Sequence, residues 1–402
     1  MEKHQIVIVG GGAGGLSTAA SLKKRRPALD IAVIEPADVH YYQPGFTLVG
    51  GGVFRPEQTR RPMDAIWPKG ITRINGRVEG FDPGSNIVHL EDGREVSYDY
   101  LVVAPGLKLD WGAIEGLEET LGRNGVTSNY RPDLAPYTWQ LVQDFRGGPA
   151  LFTQPPMPIK CAGAPQKAMY LSADHWRRTG RLDKADIHFC NAGGVLFGVA
   201  DYVPPLMNYV NRYGIHLDFS HNLVKIDGAN KVATFSVTEG EETREVEMPF
   251  EMIHVVPPQT GHDFMKNSPL VNEGGWVDVD QHTLQHNRHA NIFSLGDAAS
   301  TPNAKTAAAA RKQAPIVAEN LIAVMEGKDP WAKYDGYGSC PLTVERGKII
   351  LAEFGYGGKL MPSFPWDSTR PRRSAWHLKK NFLPWLYWNG MFKGREWMAK
   401  PQ

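Results

Sequence analysis

The chain has 402 residues, with 44 Lys plus Arg against 43 Asp plus Glu. At ~100 to 200 residues per domain that asks for two or three domains, and a net charge of +1 gives no global pull toward nucleic acid. Its 42 Gly and 30 Pro are spread among apolar segments, which excludes a disordered or fibrous chain, and no apolar run is long enough to predict a membrane-crossing helix.

In chain order, Ile6 to Val9 read as a buried strand that follows the N-terminus directly, without a charged n-region or cleavage site, so export by a signal peptide is not expected. The strand ends in Gly10-Gly11-Gly12-Ala13-Gly14-Gly15, a helical pattern covers Leu16 to Lys24, and Ile31 to Ile34 return as a strand ending at Glu35. Glycines at positions 10, 12 and 15 match GxGxxG: the first for a tight turn, the second for approach to a pyrophosphate, the third for helix-on-strand packing. Glu35 is placed to accept from ribose hydroxyls. Ile87 to Leu90 and Val96 to Tyr98 read as a hairpin, and Tyr100 to Ala104 as a buried strand closed by Pro105-Gly106. Asn291 to Asp297 form another strand ending in Gly296-Asp297, with a helix opening at Thr306 to Ala310 behind it.

These segments together resemble the flavoproteins with two dinucleotide-binding domains. The resemblance implies an α/β fold of two Rossmann-like domains, of which only the first binds a nucleotide, FAD. It divides the chain into residues 1–108 with 267–330 for FAD, 109–266 for the second domain, and 331–402 for a C-terminal membrane-associating segment. The cofactor set it implies is Gly10, Gly12, Ala13, Gly14, Gly15, Glu35, Gln43, Val78, Ala104, Gly106, Gly296, Asp297, Lys305 and Thr306. Lys305 would stand by the pyrimidine end of the flavin, where a cation favours the anionic reduced ring; read as a residue alone, it is a solvated lysine ahead of a helix.

The second domain should open on its own glycine turn if it held a nicotinamide cofactor. After Ala150 to Thr153 come Gln154-Pro155-Pro156-Met157-Pro158-Ile159-Lys160-Cys161, whose prolines leave no phosphate cradle. Ile187 to Gly194 also lack the full spacing, so a thiol is the alternative reductant. Cys161 sits beside Lys160 ahead of a helical pattern over Gln166 to Trp176, where charge and dipole favour its thiolate. Cys340 lies in a Gly/Pro-bounded turn, and Cys190, ending an apolar strand, reads as core. The three cysteines form no CxxC or Cys/His pattern, and no metal site is predicted.

KCAGAPQKAMYL, GDAASTPNAKTAAAA, YDGYGSCPL and LAEFGYG resemble sulfide:quinone oxidoreductases of the mitochondrial-like type. That resemblance implies a redox-active Cys161–Cys340 disulfide: hydrosulfide attacks, Cys340 keeps the sulfane sulfur, and Cys161 leaves as a thiolate supported by Lys160. Electrons pass to FAD and on to ubiquinone or menaquinone, and a small acceptor (sulfite, a thiol or further sulfide) removes the sulfur. Eight basic residues between Arg370 and Lys400 against Glu396 give that stretch a charge of +7, interleaved with aromatic residues as at a membrane headgroup boundary. Its other reading is a C-terminal helix that covers the core or forms an oligomer contact, broken at Pro384. Phe354 and Tyr356 are the candidate quinone wall, and no proton carrier stands out. A peripheral protein on a bacterial cytoplasmic membrane is expected, with a processed organellar protein as the alternative and a homo-oligomer left open. Rival readings are a type II NADH:quinone dehydrogenase, a flavin and thiol redox sensor without turnover, and a soluble sulfide dehydrogenase.

Overall fold

The computed structural model describes residues 2–401. Strand Glu2–Val9 sits centrally in a seven-stranded sheet, parallel to Ile31–Ile34 on one side and to Glu95–Val103 on the other. Its β-branched run Ile6 to Val9 is buried, as a strand covered on both faces requires. Helix Ala13–Arg25 makes the crossover; it has no acidic residue in its first turn and Lys23, Lys24 and Arg25 in its last, which leaves the N-terminal dipole free for an anion.

The two strands expected at 96–98 and 100–104 are one continuous strand, Glu95–Val103. Its first half pairs antiparallel with Ile87–Leu90, and its second half pairs parallel with Ile292–Ser294. The change of neighbour, not a break in the backbone, separates the two segments. Strand Ile292–Ser294 thereby carries Gly296 and Asp297 to the same sheet edge as the glycine loop.

A second, five-stranded parallel sheet has the spatial order Val126–Thr127, Met252–His254, Gly148–Gln154, Ala185–Asn191, His216–Phe219. A three-stranded antiparallel sheet over 221–249 packs with it. The chain crosses between the two large sheets at Lys108–Leu109 and Gln259–Thr260, and these crossings pair antiparallel with each other. Cys190 is fully buried on its strand, the core role read from the sequence.

Cys340 is not in a turn. It lies on strand Gly338–Glu345, which among the described residues pairs with Lys348–Phe354 alone, so its other edge is free and Pro341 is tolerated there. Alternation along this hairpin sends Cys340, Leu342, Val344, Ile350 and Ala352 to the second-domain core, and Ile349 and Leu351 against Phe46 and Trp376.

Beyond the hairpin, helix Arg373–His377, a π turn over Leu378–Phe382 and helix Leu383–Asn389 form the tail. Pro384 falls in the first turn of the last helix, where its missing N–H costs nothing. Tyr387, Trp388 and Phe392 join the first-domain core, while Phe382, Trp385, Trp397 and Met398 stay exposed. Glu396, the one acid of the stretch, accepts from Ser21 at 2.6 Å and pairs with Arg25, clamping the tail to the first helix.

Candidate active site

One cavity of about 460 Å³ runs from Gly11–Gly14 past Cys161 to Phe382, Leu386, Trp397 and Met398 of the tail. Its inner end is a dinucleotide cradle. Gly10 has φ +101, and a Cβ there would lie 2.4 Å from the Ala104 carbonyl; a Cβ on Gly15 would lie 1.9 Å from the Gly10 carbonyl. A Cβ on Gly12 would meet nothing within 4 Å, and helix Ala13–Arg25 has no side-chain cap, so its first N–H groups stay free for an anion. Glu35 accepts from the N–H of Gly11 and of Ala37, both at 2.7 Å, and keeps further lone pairs for ribose hydroxyls. Asn129, which the sequence did not single out, is buried on the cavity wall with neither side-chain polar atom partnered. This donor-rich cradle fits FAD, and no sequence signal marked Asn129 because it sits in the turn after Val126–Thr127, a strand of the other sheet.

Ala104, Gly106, Gly296, Asp297, Lys305, Thr306 and Gln43 all line the same cavity. Thr306 caps helix Ala307–Met325, accepting from Ala309 N–H at 3.1 Å. Lys305 is not a solvated lysine: it is buried, donates to the carbonyls of Asp297 and Ala299 at 2.7 and 3.1 Å, and stacks 4.0 Å from the centre of the Trp276 ring. Burial brings its pKa down to about 8, against the pull of Asp297. Gly10 and Gly15 shape the turn from behind the lining, and Val78 is buried in the sheet core, away from the cavity.

The two cysteines meet at the middle of the cavity, with Sγ atoms 3.2 Å apart. Cys161 lines it; Cys340 is buried behind, between the lining residues Ser339 and Pro341. Cys161 stands in the left-handed region at φ +81. Its ammonium partner is not the adjacent lysine. Lys160 turns away to donate to Gln43 Oε1 at 2.8 Å, whereas Lys167, in the first turn of helix Ala164–Arg178, reaches back to Cys161 Sγ at 3.3 Å. Side chains on a helix lean toward its N-terminus, which is where Cys161 sits. A hydrogen bond from Cys340, then the charges of Lys167 and Lys379, hold the Cys161 thiol well below its ordinary pKa, and Cys340 keeps its proton. Lys379 is buried, donates to the Pro44 carbonyl at 2.9 Å, and is lowered to about 7 by burial and by Lys167.

At the outer end, Phe354 and Tyr356 do not form a cavity wall. Phe354 packs edge-on against Phe197, 5.9 Å away, and the Tyr356 hydroxyl donates to the Gln281 carbonyl at 2.6 Å. The hairpin's alternation and the turn after it aim both away from the cavity. The tail supplies the apolar lining instead: Leu378, Phe382, Leu383, Leu386, Met391 and Trp397. His40 ties this end to the cradle. Burial lowers its pKa to about 4, so the neutral ring donates from Nδ1 to the Gly11 carbonyl and accepts at Nε2 from Tyr387 Oη at 2.6 Å.

Two nucleotide-fold domains, a cradle fitting FAD and a facing pair of free cysteines midway along the same cavity define a flavoprotein oxidoreductase with a dithiol at its site. Residues 4–135 match the pyridine nucleotide-disulphide oxidoreductase family. The mitochondrial sulfide:quinone oxidoreductase of Dictyostelium discoideum is 45% identical over 399 residues, covering 98% of this chain and 87% of that relative. The chain therefore belongs to the sulfide:quinone oxidoreductase family. Two solved structures share the fold: the sulfide:quinone oxidoreductase of Aquifex aeolicus (TM-score 0.81, 21% identity, 98% of this chain and 92% of that one) and a chain of the Tetrahymena thermophila mitochondrial ATP synthase (TM-score 0.85, 20% identity, 98% and 97%).

Proposed function

We propose that this protein oxidises hydrogen sulfide to sulfane sulfur at Cys161 and Cys340 and passes two electrons through FAD to a membrane quinone. The observation that carries the reading is the pair of sulfur atoms 3.2 Å apart, midway along one cavity between a dinucleotide cradle and an apolar mouth. In the oxidised pair, hydrosulfide attacks Cys340 Sγ, the S–S bond breaks, and Cys161 leaves as the thiolate. Cys340 then carries the persulfide, and the electron pair given up by sulfide rests on Cys161. The better leaving sulfur is the one with the lower pKa, and Lys167 and Lys379 give Cys161 that role. Bound FAD supplies the two-electron acceptor that links this thiolate to quinone. A small nucleophile (sulfite, a thiol or a second sulfide) lifts the sulfane sulfur from Cys340, and the pair closes again.

Quinone enters at the tail. Phe382, Trp385, Trp397 and Met398 form an exposed apolar patch, with Trp385 and Trp397 stacked at 5.7 Å, beside exposed Lys380, Lys393 and Arg395. Apolar rings rimmed by cations suit the headgroup boundary of an anionic bilayer. Among the described residues no helix is long and apolar enough to cross a membrane, so the association we propose is peripheral. The Dictyostelium relative is mitochondrial by name, which favours the organellar alternative over the bacterial membrane that the sequence put first.

Anaerobic titration with sulfide, followed in the flavin absorption band, tests the reading. Wild type should bleach and recover on adding a short-chain quinone, while Cys161→Ser and Cys340→Ser keep FAD and stay oxidised. Undiminished bleaching in either variant, or bleaching of wild type by NADH alone, would overturn it.

A further inference from the structure

We propose a second, metal-binding site on the outer edge of the second domain, made by Asp186, His188 and His216. Among the described residues these three offer ligand atoms lying within 4.8 Å of one another. They are brought together by the sheet. Asp186 and His188 stand two apart on strand Ala185–Asn191 and so face the same side, and His216 on the edge strand is the register partner of His188. None of the three lines the redox cavity.

The geometry points to an ion at their focus. His188 Nε2 and His216 Nε2 both aim at Asp186 Oδ1, from 3.2 and 3.5 Å. A tetrahedral ion with bonds of about 2.0 to 2.1 Å sets its ligand atoms about 3.3 Å apart. The two imidazoles lie nearly parallel, 4.8 Å between ring centres. Behind the site, Asp218 Oδ2 accepts from His188 Nδ1 at 2.8 Å. That is how a carboxylate fixes a metal-binding histidine, directing its Nε2 lone pair outward and raising its basicity. Two imidazoles with one carboxylate suit zinc, and also nickel or copper(II), far better than calcium or magnesium. Asp186 and His216 are exposed, so the remaining coordination position faces solvent. A bound ion would fasten the edge strand His216–Phe219 to its neighbour.

Equilibrium dialysis of the oxidised holoenzyme against zinc and cobalt(II), with metal analysis, tests the site. One ion per chain is expected in wild type and in Cys340→Ser, with binding weakened at least about ten-fold in His216→Ala and Asp186→Asn. Zinc should also raise the melting temperature of wild type and not of His216→Ala; both replaced side chains are exposed, so the variants should fold. Equal uptake by wild type and the two edge variants, or uptake lost only in Cys340→Ser, would overturn the proposal.

Discussion

The two large sheets each send a strand into a helix at the same place, and they use it differently. Glu2–Val9 turns through glycines into Ala13–Arg25; Gly148–Gln154 turns through prolines and Cys161 into Ala164–Arg178. The carboxyl end of a parallel strand is where such sheets bind ligands. In the first unit Gly15 lets the helix close on its own strand, leaving N–H groups bare for a pyrophosphate. In the second, Gly163 makes room for a foreign element: a Cβ there would lie 2.7 Å from Cys340 Sγ and 2.2 Å from Leu342 Cδ2. The same architectural corner holds a nucleotide in one domain and a second sulfur in the other.

Replacing each glycine should separate the two uses. Gly15→Ala puts a methyl group into backbone that cannot yield, so the cradle itself should fail. FAD occupancy, read from the ratio of flavin to protein absorbance, should drop to about a tenth, with ~1 to 3 kcal/mol of stability lost. Gly163→Ala should leave FAD bound and displace the hairpin that carries Cys340. Because an ångström of misplacement at reacting atoms costs roughly 100-fold, sulfide-dependent flavin reduction should slow by about that factor while the flavin content stays full. Were Gly163→Ala to lose FAD instead, the two corners would not be independent.

Much of the first corner was legible because its chemistry is local. Gly10, Gly12, Gly15 and Glu35 lie within one strand–helix–strand unit, and the reasons for each glycine are steric rules on neighbouring backbone. The helix opening at Thr306 was legible for the same reason, since its cap bond reaches only three residues along the chain. The sulfur site was legible only as two separate cysteines. What charges them was not: Lys167 read as one polar position on a helix, and Lys379 as one of many cations in a basic tail, next to an exposed Lys380 that looks the same in sequence. Lys160 was named because adjacency in sequence stood in for direction in space, whereas a helix points its first-turn side chains back past its own start. Phe354 and Tyr356 failed similarly. Proximity to Cys340 along the chain says nothing about which face of a hairpin a ring takes, and both rings pack away from the cavity. The convergence of Asp186, His188 and His216 depends on strand register between segments a whole helix apart.

The smallest effect expected, and the most specific to the second corner, comes from Lys379. Its ammonium ionises with an ordinary pKa of 10.5 in the unfolded chain and about 7 in the folded one. Between those values the unfolded state binds more protons than the native state, so this residue makes stability rise with pH across that window. Below about pH 7 both states carry the charge, and the native protein bears the full cost of burying it. Lys379→Met removes the titration. Relative to wild type, the variant should therefore be at its most stable below pH 7, and its advantage should shrink as pH climbs toward 10. Melting temperatures of the two proteins in the reduced state, compared at intervals over that range, check the slope. The same variant takes away one of the two cations facing Cys161, so alkylation of the Cys161 thiolate should shift to higher pH only where Lys379 was charged. A pH-independent difference in melting temperature would mean that Lys379 is charged throughout, and that the corner holds its thiolate with two permanent cations.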